Sequence, residues 1–209
     1  MAAKMTTKQI HYVSGLILSL FVGLHLFNHL CSLVGAERHI AVMNTLRLGY
    51  RNSVIEALLL GAVAVQIGSG LRLFRIHRKT AVTPFQKLHV WTGLYLAIFF
   101  VIHVSAVLIG RGVLHLDTNF YFGVAGLNSF PFNLFFIPYY GLAVISFFGH
   151  VAAIHRQKMK APLVGVSPNS QAIFLLVFSV VLTLVLMYGL TDHFHGVTIP
   201  SEYNILIGK

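Results

Sequence analysis

The stretch HYVSGLILSLFVGLH, residues 11–25, decides the fold, because it returns as HVWTGLYLAIFFVIH at residues 89–103. Each copy runs from histidine to histidine with no charged residue between them. In an α-helix, the step from His11 to His25 rises about 21 Å and comes back to nearly the same face. Each copy therefore places two imidazoles on one stripe at two depths, and His29 extends the first stripe. An apolar run of this kind belongs to a hydrocarbon environment, where a histidine is costly and marks a functional position.

The rest of the chain supports that environment. Of its 209 residues, 56% are hydrophobic and only 10% are charged, and the mean hydropathy is +0.79. A soluble domain of this size needs far more charge to cover its surface. The net charge of +10 does not indicate nucleic acid, because the basic residues sit in short clusters between apolar segments, as they do at a membrane face. The single cysteine, Cys31, rules out an intrachain disulfide and argues against a thiolate metal site. The opening residues MAAKMTTKQ lead straight into the first apolar run, which has no small-residue cleavage site and reads as a retained span rather than a signal peptide.

Five segments are long enough to cross a hydrocarbon core of about 30 Å: His11–Val34, Val54–Phe74, Leu88–Gly110, Leu134–Ile154 and Ala172–Leu190. Each is expected to be helical, because lipid offers no partner to an open backbone group. The expected fold is an all-α membrane protein: spans one to four form a pseudo-two-fold four-helix bundle and a fifth helix is added. Ten of the fifteen Lys and Arg flank the N-terminal side of span one, the turn between spans two and three, and the end of span four. They are Lys4, Lys8, Arg72, Arg75, Arg78, Lys79, Lys87, Arg156, Lys158 and Lys160. The positive-inside rule puts these on the cytoplasmic face of the cell's inner (plasma) membrane, with the N-terminus inside. The five acids (Glu37, Glu56, Asp117, Asp192 and Glu202) then fall on or near the outer side. The aromatic, glycine-rich segment 111–135 is expected in the outer interface.

The offset of 78 residues between the two opening stretches also relates Ile76-His77-Arg78 to Ile154-His155-Arg156. Residues 1–209 thus read as one transmembrane domain with an internal repeat, 11–78 and 89–156, and an unrepeated helix at about 172–190. A duplicated helix pair builds a bundle whose cofactor sites lie between facing helices. His25 and His103 fall at matched, deep positions. Two neutral imidazoles facing each other across a bundle are what a bis-histidine haem requires, and so both are candidate iron ligands. Their plain alternative is a hydrogen bond to a neighbouring carbonyl or hydroxyl. Ser14-Gly15 and Thr92-Gly93, small pairs one turn into their spans, let a flat macrocycle or a second helix approach closely. His11, His77, His89 and His155 lie near span ends beside Lys or Arg, where interfacial solvation competes with a second haem or propionate contacts. His39, His115, His193 and His195 are expected in solvent-facing outer loops. His150, inside span four, wants a partner on span two. Gln66 is the polar residue at a plausible depth, giving a His–Gln hydrogen bond, an unusual haem or a quinone pocket. Glu56 is the acid best placed to take a quinone proton, against the alternative of a span-end residue reaching water. Arg72 either pairs with a propionate or snorkels.

The residues SGLILSLFVGLHLFNHL in span one, QIGSGLRLF in span two, HVWTGLYLAIFFVIH in span three and GHVAAIHRQ in span four resemble, in order and spacing, the cytochrome b membrane anchor of succinate dehydrogenases and fumarate reductases. The likeness is to the single-chain type with five spans, and it covers about four-fifths of the chain. It implies two b haems held by four histidines, one on each of four spans. Carried over by position, His25, His103 and His150 match, while Gln66 stands where a span-two histidine belongs. The resemblance also implies flavoprotein and iron–sulfur partner subunits on the cytoplasmic side, and electron transport to or from a quinone such as menaquinone. Two other readings remain open: a stand-alone b-type cytochrome acting on quinol, and a haem-free membrane anchor or scaffold.

Overall fold

The computed structural model describes residues 5–209, so Lys4, one of the charges used above to orient the chain, lies outside the described residues. Seven α-helices follow in order: α1 (Thr7–Leu30), α2 (Ala36–Tyr50), α3 (Ser53–His77), α4 (Pro84–Gly112), α5 (Phe120–Val124), α6 (Asn133–Lys158) and α7 (Pro168–Leu190). Short 3-10 turns cover Cys31–Val34 and Ser201–Ile207. Five of the helices, α1 (continued to Val34), α3, α4, α6 and α7, are long and apolar enough to cross a membrane. The chain is a multi-pass membrane protein, and its described residues form no strand.

The helix starts follow from local chemistry. Thr6 with Gln9 and Thr83 with Gln86 form the same reciprocal capping box at the start of α1 and α4. Asn52 and Ser167 cap α3 and α7 with single side-chain bonds. Pro84 and Pro168 occupy first-turn positions, where the missing N–H costs nothing. After α1, the 3-10 turn ends at Gly35, whose φ of +126° is closed to residues with a side chain and reverses the chain into α2.

The spanning helices close a ring. α1 packs on α3, α3 on α4, α4 on α6 and α6 on α7, and α7 returns to α1 and its 3-10 turn. Spans one to four thus make the expected bundle, with the fifth helix seated between the first and the fourth. That seat is lined with small residues, which let helices pack closely without help from water. Ala152, Ala153, Ala172 and Ser179 are fully buried, and a Cβ on Gly141 of α6 would meet Thr183 of α7 at 3.4 Å. Large apolar residues such as Leu16, Leu20, Leu58, Ile98, Phe174 and Leu184 face outward. On a soluble protein such a belt would be an aggregation surface; here it meets lipid.

One end of the ring is capped. The segment after α4, expected in the outer interface, folds inward: Phe120, Val124 and Leu127 pack with Met187 and Leu190 in one buried hydrophobic cluster. Asn128 ties this cap together, donating to the Leu190 carbonyl and accepting from the Val197 N–H. Tyr203 is completely buried and donates to the Asp117 carbonyl. The other end carries the basic clusters 72–79 and 156–160.

Candidate functional site: two histidine clusters in the helix ring

At the capped end, α1, α2 and α4 bring four histidines together. The His25 and His103 ring centres lie 6.1 Å apart with planes 70° to one another. Each stacks on the phenylalanine one turn before it: His25 on Phe21 at 5.8 Å and 16°, His103 on Phe99 at 5.0 Å and 14°. The two Phe–His pairs are related by the same 78-residue offset as the histidines themselves. His29 Nε2 lies 3.1 Å from His25 Nε2, and His39 Nε2 lies 3.2 Å from His29 Nδ1. Asn28 places its amide nitrogen 3.2 Å from His39 Nε2. His39 Nε2 has a single lone pair and accepts from one of its two neighbours, the Asn28 amide or His29 Nδ1, while between His29 and His25 one Nε2 donates and the other accepts. The His103 ring makes no hydrogen bond with the described residues and keeps its lone pair.

His39 is the first difference from the sequence reading. It was expected in a solvent-facing loop, yet it is only 2% exposed and belongs to this cluster. Burial, with His25 and Arg47 nearby, pushes its pKa down to about 4 and holds it neutral. His115 and His195 are exposed as expected. His193 is half-buried against Tyr188, with Nε2 3.4 Å from the Leu33 carbonyl.

Toward the basic end a second cluster forms. His11 Nδ1 is 2.8 Å from Ser69 Oγ, and its Nε2 is 3.3 Å from Gln66 Nε2. Ser14 Oγ lies 2.7 Å from Gln66 Oε1 and 2.9 Å from the Ile10 carbonyl, and its one hydrogen serves one of these acceptors at a time. On the matching helix pair, His89 and His150 pack with ring centres 4.4 Å apart and planes 53° to one another. His150 Nδ1 donates to the His89 carbonyl at 3.1 Å and lies 3.4 Å from Thr92 Oγ1. That backbone bond fixes the tautomer and leaves His150 Nε2 free to accept or to ligate. Gln66 is therefore engaged by His11 and Ser14, whereas the His150 contacts are to α4. His11 and His89, expected at the interface with a cofactor role as the alternative, sit half-buried inside the ring, His11 bonded to Ser69 and His89 packed against the tilted His150 ring. Small residues make both contacts possible. A Cβ on Gly15 would come within 3.3 Å of Gln66, and one on Gly93 within 3.1 Å of His150.

Two candidates lie apart from both clusters. Arg72 is exposed in a shallow groove with Thr7, Ile10 and Val65. Glu56, in the first turn of α3, is ion-paired with Arg111 at the end of α4.

The geometry can be tested against a haem. Among the described residues no three metal-binding groups converge on one point. A porphyrin brings four nitrogens of its own and asks the protein for two axial ligands only. An iron–imidazole bond of about 2 Å, plus roughly 1 Å from nitrogen to ring centre, sets two axial rings about 6 Å apart. His25 and His103 stand at that spacing on helices that do not neighbour each other in the ring; His25 Nε2, bonded to His29 in this structure, and a nitrogen of His103 are the atoms that would hold the iron. His89 and His150, at 4.4 Å, are too close to flank one iron. No family model, curated protein or solved structure matches the chain.

Proposed function

We propose that the chain is a membrane-anchor b-type cytochrome of the succinate dehydrogenase and fumarate reductase kind, carrying electrons between an iron–sulfur and flavin partner and a quinone. The observation that carries this reading is the pair His25 and His103, met across the ring at the spacing of two axial ligands and each braced by its own phenylalanine. Haem b, when bound, supplies a one-electron carrier inside a medium that excludes ions. The chain's own residues do the rest. His25 and His103 supply the ligand nitrogens, and Phe21 and Phe99 hold their ring planes. The lipid-facing belt keeps water out. Glu56 is the proton acceptor on this reading, with Arg111 holding its carboxylate in place between α3 and α4. His150, with Nδ1 anchored, is the third ligand candidate, and Gln66, Ser14 and Thr92 line its end of the ring.

The basic end would face the cytoplasm across the plasma membrane and receive the flavoprotein and iron–sulfur subunits or anionic lipid. One observation favours a second reading, a stand-alone b-type cytochrome acting on quinol. Gln66 stands where a span-two histidine belongs and is bonded to His11 and Ser14, which supports a single haem over a two-haem relay.

The test is haem content per chain on protein purified from haem-sufficient cells, by pyridine haemochrome, with His25→Ala and His103→Ala beside it. One b haem per chain, lost in both variants, is the expected result. A colourless protein made with ample haem leaves only the scaffold reading. Co-purification of flavin and iron–sulfur subunits separates the anchor from the stand-alone cytochrome.

A further inference from the structure

Arg47 carries a buried and unfinished set of hydrogen bonds. Its side chain is only 10% exposed, and Nη1 reaches Asp117 Oδ1 at 2.9 Å. Nε and Nη2 are buried without a partner among the described residues. These two nitrogens are adjacent donors on one edge of a planar guanidinium, the edge that grips a carboxylate with two parallel bonds. Leaving them dry and unpaired is strongly unfavourable. The neighbouring acids do not fill the place. Asp117 is shared between Arg47 and Arg51, and Glu56 is taken by Arg111. The local balance is one positive charge in excess.

The position of Arg47 says what the missing acid belongs to. His39, Met43, Arg47 and Tyr50 form one stripe of α2, four, four and three residues apart. The stripe is pinned at both ends to α1, His39 against His29 and Tyr50 against Phe21. Those contacts stand four residues to either side of His25, so the part of α2 carrying Arg47 runs past the level of the proposed iron ligand. We propose that the Nε–Nη2 edge of Arg47 binds a propionate carboxylate of the porphyrin held between His25 and His103. This rests on the haem reading above and deepens it. Asp117 orients the guanidinium from the far side, which makes Arg47 a cofactor-binding residue supplied by a helix that does not span the membrane.

The experiment uses full-length wild type, Arg47→Gln and Arg47→Lys in detergent, each titrated with haem b and with haem b whose propionates are methyl esters. Loss of a charge-assisted bidentate contact weakens binding by roughly tenfold to a hundredfold. That loss is expected for Arg47→Gln with haem b, with a smaller loss for Arg47→Lys, and a lower reduction midpoint for Arg47→Gln, which alone removes the positive charge. With the ester, all three proteins are expected to bind alike. Should Arg47→Gln fail to fold, Arg47→Lys, which keeps the charge and loses the fork, decides the matter by the same comparison. The proposal is overturned if the variants hold haem b as tightly as wild type. It is also overturned if they lose haem b and its ester equally, the outcome expected when Arg47 serves a phospholipid phosphate. Wild type that binds neither form sinks the haem reading itself, a result distinct from binding that ignores Arg47.

Discussion

Two glycine-to-alanine substitutions, chemically identical, are expected to move stability in opposite directions. Gly189 lies near the end of α7, where the helix closes the ring against the 3-10 turn after α1. A Cβ there would sit 2.5 Å from Ser32 Oγ, 3.0 Å from the Leu33 nitrogen and 3.2 Å from the Ser32 carbonyl carbon. Ser32 Oγ cannot simply swing away, because it donates to the His29 carbonyl at 2.6 Å, and breaking that bond costs about 1 kcal/mol. The two backbone atoms move only if the turn moves, and forcing an extra methyl into such a contact costs about 1–3 kcal/mol. Alanine returns up to about 1 kcal/mol of helix propensity. The net for Gly189→Ala is a destabilisation of about 1–3 kcal/mol, a fall of roughly 3–10 °C in Tm for a chain of this size. Gly23, two residues before His25 in α1, has nothing within 4 Å of its would-be Cβ. Gly23→Ala is expected to gain up to about 1 kcal/mol. Thermal unfolding of both variants in the same detergent, followed by circular dichroism, is the assay. If Gly189→Ala melts with or above wild type, α7 does not seat against the His29-bearing turn as described, and the closed ring is wrong.

Acid should destabilise the capped end through His39. Its folded pKa of about 4 lies below the ordinary 6.5, so the unfolded chain binds the extra proton. Stability is then full above about pH 6.5 and declines toward pH 4, by at most about 3 kcal/mol from this group; His39→Asn should flatten that part of a pH–Tm profile, and an unchanged slope counts against a buried neutral His39. Glu56→Gln should cost no more than about 1 kcal/mol, since the pair with Arg111 is partly exposed, while slowing quinol-linked turnover; normal turnover would remove Glu56 from the proton path. His89→Ala should leave the reduced-minus-oxidised b-type spectrum intact, because the proposed haem lies between His25 and His103 at the other end of the ring; loss of the spectrum would move the haem to the basic end.

The spans were legible because a hydrocarbon core imposes one length and one composition. Each expected segment lies within a helix of the structure apart from residues 31–34, which form the 3-10 turn after α1. The matched depth of His25 and His103 was legible for a similar reason, since helical rise converts a repeat offset into height. α2 was not legible as a helix of consequence. Its fifteen residues AERHIAVMNTLRLGY mix polar and apolar types too evenly to suggest a span, and His39 was assigned to water with the loop around it. Yet His39, Met43 and Arg47 are spaced four apart and all turn inward, a stripe the sequence does contain. The inward folding of 111–135 was hidden for another reason: its partners, Met187, Leu190 and Tyr203, come from the far end of the chain, and no local period announces them.

The two ends of the ring differ because the two helix pairs seat different residues in the same place. On α1 and α4 the small residues Gly15 and Gly93 are related by the repeat, and each meets one polar side chain from its neighbouring helix: Gln66 on α3, His150 on α6. Strict repetition would put Arg72, not Gln66, opposite His150, but Arg72 points outward. Glutamine has both a donor and an acceptor, and here it spends them on His11 and Ser14. Imidazole anchored at Nδ1 leaves Nε2 unspent. The α1–α3 half at the basic end therefore closes on itself with hydrogen bonds, while the capped end leaves His103 unbonded and Arg47 half-satisfied. Open polar groups stand at both ends, His150 Nε2 at the basic end and His103 with the Arg47 edge at the capped end, but the 6.1 Å ring spacing that suits two ligands of one iron is found at the capped end. On the proposed reading, it is that spacing, not the open groups alone, that puts the haem at the capped end.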